Sequence, residues 1–406
     1  MCYPPGTLPL SWWVRPFFNT MRSFLPYFSW ITGYTRYITL AVRLVVIILV
    51  LNELAPAPPR ITLGSPQTVQ TEHPMVCVHT RLTDEVEEWK IQRTLSMVRE
   101  MGAGTIVEFF PWPYIEGNRP GEYDWAYSDR IIRHAQNQGL TVIARLGLVP
   151  GWARPPVEQK VTTLQYLPED HFDSFARFVG AFVAHYPSIS AVIIWNEPNL
   201  SREWGDRPVD PEAYTDLLRV SYEAAHTANP DIIVLGGALA PTLEPEDSAS
   251  GMNEMRYLER MYEAGAADYF DALAVHTYGF VDPPEDAPDP DVINFRRVEL
   301  LRDIMVQYGD ANKPVYITES GWNDDPRWSN AVRPGQRLLY TLDAYNMAES
   351  WPWLKRLCIW NFRQPFDYDN RRDAYYSLVS SDFYPKPIYE VLQAYARGWE
   401  IPYELE

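Results

Sequence analysis

Two glutamates stand out in the chain because each follows a run of apolar residues. Glu197 comes after Val192–Trp195 and one asparagine, and Glu319 comes after Val315–Ile317 and one threonine. Two carboxyl groups that converge can divide the work at an acetal carbon, since one donates a proton to the leaving oxygen while the other attacks the carbon. Their mutual repulsion raises the pKa of one of them. On spacing alone, helix caps or arginine-paired surface carboxylates remain the alternative interpretation.

The elements that would position these glutamates repeat along the chain. From residue 75 onward, short β-branched or apolar runs alternate with helical patterns, and the runs begin 30 to 50 residues apart. The predicted strands are Met75–His79, Thr105–Phe110, Thr141–Leu146, Ala191–Asn196, Asp231–Gly236, Ala272–Thr277, Pro314–Glu319 and Leu357–Asn361. The predicted helices include Asp84–Met101, Phe172–His185, Pro211–Ala228, Met255–Ala264 and a closing helix near Pro387–Ala396. Eight such units predict an α/β fold, a (β/α)8 TIM barrel, with a doubly wound open sheet as the alternative.

The residues around the two glutamates resemble those of the clan A glycoside hydrolases, most closely family 39 and its cellulase-like relatives. Trp195–Asn199 is similar to the clan's acid/base motif on strand four, and Thr318–Trp322 is similar to its nucleophile motif on strand seven. The supporting segments, in clan order between about residues 76 and 395, are Phe110–Trp112, Ile115–Glu116, Val275–Gly279, Trp360 and Pro385–Tyr389. The resemblance implies an enzyme that hydrolyses O-glycosyl bonds of an oligo- or polysaccharide.

The resemblance also implies roles for individual residues. Cleavage of a β-glycosidic bond would retain the anomeric configuration, with Glu319 as nucleophile and Glu197 as acid/base. Asn196 would bind the 2-hydroxyl of the sugar, Tyr278 would hydrogen-bond to the nucleophile, and Trp360 would lie under the reacting sugar.

Three further residues are candidate substrate contacts. His276 lies two residues before Tyr278 on the same strand face. His79 ends strand one and is either a hydroxyl contact or a buried core histidine. Trp112 follows strand two and is either an aromatic platform for a sugar or a packing residue.

The chain departs from the clan near the end of strand two. Many clan members have an arginine there, whereas this chain has Val107–Glu108, and Arg145 on strand three is the nearest replacement. Glu108 is either a third acidic group in the cleft or a buried partner of Arg145.

The seven histidines show no His-x-His or His-Glu-x-x-His spacing, and no glycine-rich phosphate loop precedes a helix. No metal and no cofactor are therefore expected.

The N-terminal part differs in character from the rest. Residues 1–52 contain four arginines and no acidic residue; the net charge of the whole chain is −18, so the remainder carries −22. We expect a cytoplasmic arm over 1–35, a signal anchor or signal peptide over 36–54, a proline-rich linker over 55–70 and the catalytic domain over 71–406. A buried core helix is the alternative for 36–54. The expected location is a membrane anchor with the catalytic domain extracytoplasmic, or secretion if the segment is cleaved.

The acidic domain and the lack of an arginine and lysine cluster argue against a nucleic-acid partner. Cys2, Cys77 and Cys358 have no CxxC spacing, and buried free thiols are expected, with a bridge between Cys77 and Cys358 as the alternative because their strands are neighbours.

The alternative function is a non-catalytic glycan-binding or scaffold subunit. The shapes of the loops would decide which sugar is bound and whether the chain is cleaved from its end or internally. They would also decide whether the product is released by hydrolysis or by transglycosylation.

Overall fold

The structure is a computed structural model that describes residues 34–50, 62–155, 163–365 and 372–404. Two compact units divide the chain, Met1–Thr62 and Leu63–Glu406. In the first unit, residues 34–50 are helical and exposed, while the other residues of the predicted arm and membrane segment lie outside the described ranges. Within the described ranges, no helix meets the length and hydropathy needed to cross a membrane.

The second unit is a closed barrel in which eight parallel strands pair in sequence order and β1 pairs with β8. The strands are β1 (Val76–His79), β2 (Thr105–Pro111), β3 (Thr141–Gly147), β4 (Ala191–Ile194), β5 (Ile233–Leu239), β6 (Ala272–Tyr278), β7 (Val315–Gly321) and β8 (Leu354–Ile359). The principal helices are α1 (Glu88–Met101), α2 (Ala126–Asn137), α3 (Phe172–His185), α4 (Pro211–Ala228), α5 (Glu254–Glu263), α6 (Val298–Gln307), α7 (Pro334–Glu349) and α8 (Pro387–Arg397). The predicted barrel is therefore confirmed.

The helices begin and end where the local sequence dictates. The carboxylate of Asp210 accepts a hydrogen bond from the backbone N–H of Ala213 at 2.8 Å, and Pro211 occupies the first turn of α4. Gly102 ends α1 with a φ of 95°, a left-handed conformation that glycine adopts without a Cβ clash. These ends fix each helix relative to the strand that it follows or precedes.

Side chains alternate between two apolar layers. One layer fills the barrel interior and includes Val107, Ile143, Ile193 and Leu235. The other lies between the strands and the helices and includes most of the buried aromatic residues. Because both faces of the sheet are covered, the strands read as continuous apolar runs, which is what made them visible in the sequence.

The barrel seam carries a covalent link. Cys77 on β1 and Cys358 on β8 are register partners and form a disulfide across 281 residues of sequence. The expectation of buried free thiols was wrong, and the alternative of a bridge is the one observed.

The bounds of several elements differ from the predictions by a few residues. The strand β8 begins at Leu354 rather than Leu357, and the compact unit begins at Leu63, inside the predicted linker. The backbone N–H of Gln67 donates to the carbonyl of Asn137 at 2.7 Å, so this part of the linker packs on the barrel.

Candidate active site

The C-terminal ends of the strands surround a cavity of about 530 Å³. The predicted site residues that line it are His79, Asn196, Glu197, Tyr278, Glu319 and Trp360. Its other walls come mainly from the segments after β1, β2, β3 and β4. The cavity is therefore where a (β/α)8 barrel places its chemistry.

A strained turn aims Glu197 into this cavity. Trp195 and Glu197 have φ values of 72° and 42°, which non-glycine residues seldom adopt. Hydrogen bonds hold the turn, since the N–H of Glu197 donates to the carbonyl of Ala238 at 3.0 Å and the indole of Trp195 donates to the carbonyl of Glu203 at 2.7 Å. Such strain is typical of functional positions that the surrounding structure enforces.

A register shift places Glu319 beside strand β6. Val275 pairs with Ile317, but the next residue, His276, pairs with Glu319, so β7 has one extra residue at this point. A bulge of this kind re-aims a side chain next to an active site. On β6, Tyr278 shares the face of His276, and its hydroxyl donates to Oε2 of Glu319 at 2.9 Å. The following residue is Gly279, where a Cβ would overlap the indole of Trp322.

The two carboxyl groups are close together with a histidine between them. One oxygen of Glu197 and one of Glu319 lie within 4.8 Å of each other. Nδ1 of His276 lies 2.9 Å from Oε1 of Glu197 and 3.8 Å from Oε2 of Glu319. Because a carboxylate only accepts, Nδ1 of His276 is the donor toward Glu197.

Charge and burial act in opposite directions on these groups. Burial lowers the pKa of His276, but the charges of Glu319 and Glu197 outweigh it and leave the pKa above the usual 6.5. Burial raises the pKa of Glu197, but the hydrogen bond and charge of His276 outweigh it and the net shift is downward. Glu319 shows the same balance, burial against the charges of His276 and Arg145, and its pKa is also lowered. Both carboxyl groups therefore ionise readily while His276 holds a proton.

Arg145 joins the nucleophile candidate to the neighbouring motif. Its Nη1 donates to Oε1 of Glu319 at 3.0 Å and to Oδ1 of Asn196 at 2.7 Å. Arg145 on β3 therefore supplies beside Glu319 the guanidinium that strand two lacks. It also fixes which way the amide of Asn196 points.

His79 presents an acceptor to the cavity. Its Nδ1 lies 3.0 Å from the carbonyl of Thr80, so Nδ1 carries the hydrogen. Burial lowers the pKa of His79 to about 3, and the ring is neutral at neutral pH. Among the described residues, Nε2 makes no hydrogen bond, and it lies 3.4 Å from Oε1 of Glu319. This atom can accept a hydrogen bond from a hydroxyl in the cavity.

The structure corrects the expectation for Trp112. Its side chain is fully buried, stacks on Phe178 with ring centroids 5.8 Å apart, and donates from its indole to Oε2 of Glu116 at 2.5 Å. It is a packing residue and does not line the cavity.

Glu108 lines the cavity but does not contact Arg145 through any described hydrogen bond or ion pair. Its carboxyl accepts from the hydroxyl of Thr80 at 2.5 Å and from the backbone N–H groups of Leu82 and Thr83, each at 3.0 Å. Burial raises its pKa despite these bonds. Glu108 therefore holds the segment after β1 in place, a role that neither sequence alternative described.

Two residues that line the cavity were not predicted from the sequence. Burial together with the charge of Glu197 raises the pKa of Glu203, which also lines the cavity. Arg202 is 71% exposed and places Nη2 3.5 Å from Oε2 of Glu197. Their positions five and six residues beyond Glu197 were the available signal.

Glu197, His276 and Glu319 are also residue types that bind metal ions. The guanidinium of Arg145 already neutralises Glu319 at 3.0 Å, so a cation here would have to compete with it. The site suits charge-assisted hydrogen bonding better than a resident metal.

The chain is similar in structure to several known glycosidases. It matches a family 39 glycoside hydrolase from Bacteroides cellulosilyticus with a TM-score of 0.64 and 20% identity, over 82% of this chain and 65% of that one. It matches a family 39 enzyme from Xanthomonas axonopodis pv. citri with a TM-score of 0.60 and 16% identity, over 84% and 71% of the two chains. A monomeric β-xylosidase from Caulobacter crescentus gives 0.56 and 18%, over 80% and 69%.

No protein-family model and no curated protein sequence matches the chain. The chain spans slightly less than two thirds of the Bacteroides protein. The identities of 16 to 20% bear on architecture, and the strand order agrees with it. The resemblance noted in the sequence is thus confirmed at the level of fold: this chain has the (β/α)8 barrel of the family 39 glycoside hydrolases.

Proposed function

We propose that the chain is a retaining glycoside hydrolase that cleaves β-glycosidic bonds, with Glu319 as nucleophile and Glu197 as acid/base. The observation that carries the proposal is the separation of the two carboxyl groups, whose nearest oxygens lie within 4.8 Å. Retaining glycosidases have carboxyl groups about 5–5.5 Å apart, whereas inverting enzymes need about 6.5–9.5 Å to admit a water molecule. A cavity of about 530 Å³ falls in the usual range for a small-molecule site.

In the first step, a carboxylate oxygen of Glu319 attacks the anomeric carbon as the bond to the leaving oxygen breaks. Arg145 and Tyr278 donate to this carboxylate, which keeps it ionised and oriented. The proton for the leaving oxygen comes from the pair formed by Glu197 and His276, whose Oε1 and Nδ1 atoms are 2.9 Å apart. The products are a glycosyl ester of Glu319 and the released alcohol.

In the second step, a water molecule replaces the leaving group. Glu197 takes a proton from this water as the water oxygen attacks the anomeric carbon, and the ester bond to Glu319 breaks. The carboxylate of Glu319 is restored, and the pair of Glu197 and His276 again holds one proton. Two inversions at the same carbon give net retention.

Polar groups suited to a sugar surround the reacting centre. Oδ1 of Asn196 accepts a hydrogen bond from Arg145 at 2.7 Å, which orients the amide and supports a contact to the 2-hydroxyl. Trp360 lines the cavity and meets Tyr376 edge-on, with ring centroids 5.4 Å apart, which supports a platform role for its face. A related fold in Caulobacter crescentus is a β-xylosidase, so β-xylosides belong among the first substrates to test.

We also propose that residues 36–54 attach the chain to a membrane with the barrel outside the cytoplasm. Four arginines and no acidic residues occur in residues 1–52, which supports a cytoplasmic N-terminus. The disulfide between Cys77 and Cys358 supports an oxidising compartment for the barrel. Protease treatment of intact and lysed cells tests this: the barrel should be accessible in intact cells, and protection until lysis would contradict the proposal.

The catalytic proposal is tested with the full-length chain in mild detergent, a panel of aryl β-glycosides, and the matching 2-fluoro glycosides. We expect turnover of at least one glycoside and a covalent label on Glu319. The variants Glu197→Gln and Glu319→Gln should lose turnover, and the control Glu349→Gln, at a helix residue whose side chain is 35% exposed, should keep it.

Two outcomes would overturn the proposal. A label on another residue would remove Glu319 as nucleophile. Absence of turnover and label, with unchanged glycan binding in both active-site variants, would instead indicate the non-catalytic glycan-binding subunit.

A further inference from the structure

A second depression lies on the side of the barrel, away from the catalytic cavity. We call it the flank groove; it has a volume of about 1050 Å³ and runs along α1, the segment before α8 and the end of α2. Residues that line it include Ser65, Trp89, Arg93, Asp382, Phe383 and Tyr384. None of its lining residues lines the catalytic cavity.

Two aromatic side chains are exposed in the flank groove. Trp89 is 47% exposed and Tyr384 is 72% exposed. Trp89 is held from below, since its ring packs on Phe383 at 5.7 Å and its indole donates to Oε1 of Glu87 at 3.0 Å. Exposed large aromatic surfaces on a folded protein mark interaction sites when they occur together in one depression.

The backbone also holds Tyr384 in place. Its N–H donates to the hydroxyl of Ser380 at 3.0 Å, and its carbonyl accepts from the N–H of Ser380 at 2.9 Å. The ring of Trp89 and the backbone of Tyr384 are therefore held in place, which lowers the conformational entropy cost of binding at this surface.

The charges in the flank groove are largely balanced. Lys90 pairs with Glu87 at 2.7 Å, and Arg99 pairs with Glu100 at 3.2 Å. The groove lining has three cations, Lys90, Arg93 and Arg99, and two acids, Glu87 and Asp382, so its charges nearly cancel, whereas the domain as a whole is strongly acidic. An uncharged occupant fits it better than an anionic or cationic one.

We propose that the flank groove is a second glycan-binding site, for a chain of uncharged sugars that extends beyond the catalytic cavity. The apolar C–H faces of sugar rings would stack on Trp89 and Tyr384. Neighbouring hydroxyls would donate to the carboxylate of Asp382 and accept from the guanidinium of Arg93, which both line the groove. A proline-rich peptide also binds aromatic grooves, but it has few donors for Asp382.

The choice of a glycan as occupant rests on the proposed function, although the two sites are separate. Binding on the flank would keep the enzyme attached to a polymer while the catalytic cavity releases one product and binds the next segment. Such attachment lowers KM for a long substrate and leaves a short substrate unaffected.

The test uses the full-length chain carrying Glu197→Gln and Glu319→Gln, so that bound glycans are not cleaved. Binding to xylo-, cello-, manno- and galacto-oligosaccharides of six units is measured with and without Trp89→Ala and Tyr384→Ala. Each lost platform should weaken binding about two- to twelvefold. The control pair Trp399→Ala and Tyr308→Ala, 54% and 41% exposed and outside the groove lining, should not change it.

A second measurement separates this proposal from the catalytic one. With the glutamates restored, Trp89→Ala and Tyr384→Ala should leave kcat/KM for an aryl glycoside unchanged and raise KM for the polymer. If wild-type chain turns over no glycoside, the catalytic proposal fails while the binding comparison still decides this one.

Three results would overturn the flank site. The first is absence of binding to every oligosaccharide, and the second is equal binding with and without the two aromatic residues. The third is binding of a peptide of residues 55–64 that the two substitutions weaken while glycan binding stays unchanged.

Discussion

Replacement of Arg145 by methionine tests the electrostatic arrangement of the site. Arg145 donates from Nη1 to Glu319 at 3.0 Å and to Asn196 at 2.7 Å. Methionine keeps much of the side-chain volume and removes both the charge and the hydrogen bonds. Burial then acts on Glu319 with less opposition, so the pKa of this carboxyl should rise.

The size of the shift follows from the contact that is lost. A hydrogen bond to a charged group contributes about 1.5–3 kcal/mol, and one pKa unit corresponds to about 1.4 kcal/mol. The pKa of Glu319 should therefore rise by about one to two units. The nucleophile must be ionised to attack, so the acidic limb of kcat/KM against pH should move upward by the same amount.

The assay is a pH profile of kcat/KM for an aryl β-glycoside, measured for wild type, Arg145→Met and Arg145→Lys. Lysine keeps a positive charge, so its profile should lie between the other two. Arg356→Met is the matched control, because Arg356 is also a strand arginine but donates to Thr105 at 3.1 Å and does not line the cavity. An acidic limb that stays in place in a folded Arg145→Met variant would refute the reasoning.

The remaining predictions concern the proton donor and the barrel seam. Glu197→Gln should lower kcat/KM about 10²- to 10⁴-fold for phenyl glycosides and far less for dinitrophenyl glycosides, which need no protonation; equal losses for both would contradict the acid role. His276→Asn should move the basic limb of the profile to lower pH. The proton is then held by the carboxyl of Glu197 alone instead of by a histidine whose pKa lies above 6.5. An unchanged basic limb would show that His276 does not hold the proton that reaches the leaving oxygen. Reduction of the disulfide between Cys77 and Cys358, which closes 281 residues, should lower the free energy of unfolding by about 2–4 kcal/mol, and identical urea midpoints with and without reductant would argue against that contribution.

The barrel could be predicted because its two periodicities are visible in one sequence. Strands buried on both faces appear as unbroken apolar runs, and helices such as α3 and α4 show apolar residues on one side only. The predicted bounds of these two helices, Phe172–His185 and Pro211–Ala228, agree with the structure. The bounds of β5 and β8 differ because loops next to strands carry the same residue types.

The orientation of side chains was harder to predict than the elements. Trp112 follows a strand directly, as a platform residue would, but the short helical turn Trp112–Ile115 directs it into the packing layer. The extra residue in β7 before Glu319 shifts the register with β6, and no local residue type announces it. Glu203 was equally hard to predict because its position depends on the path of a loop, whereas the bridge between Cys77 and Cys358 was available from the sequence as an alternative.

The surroundings of the two glutamates support the same division of roles as the motifs, by an independent route. Glu319 accepts hydrogen bonds from the guanidinium of Arg145 and from Tyr278, whose pKa is raised by burial, so the phenol keeps its proton. A carboxylate with such partners stays ionised, as a nucleophile must. Glu197 instead makes its principal contact with His276, an imidazole that can give up and regain a proton. If the roles were reversed, the group that must gain and lose a proton in each cycle would be the one fixed by an arginine, so the geometry favours Glu197 as acid/base.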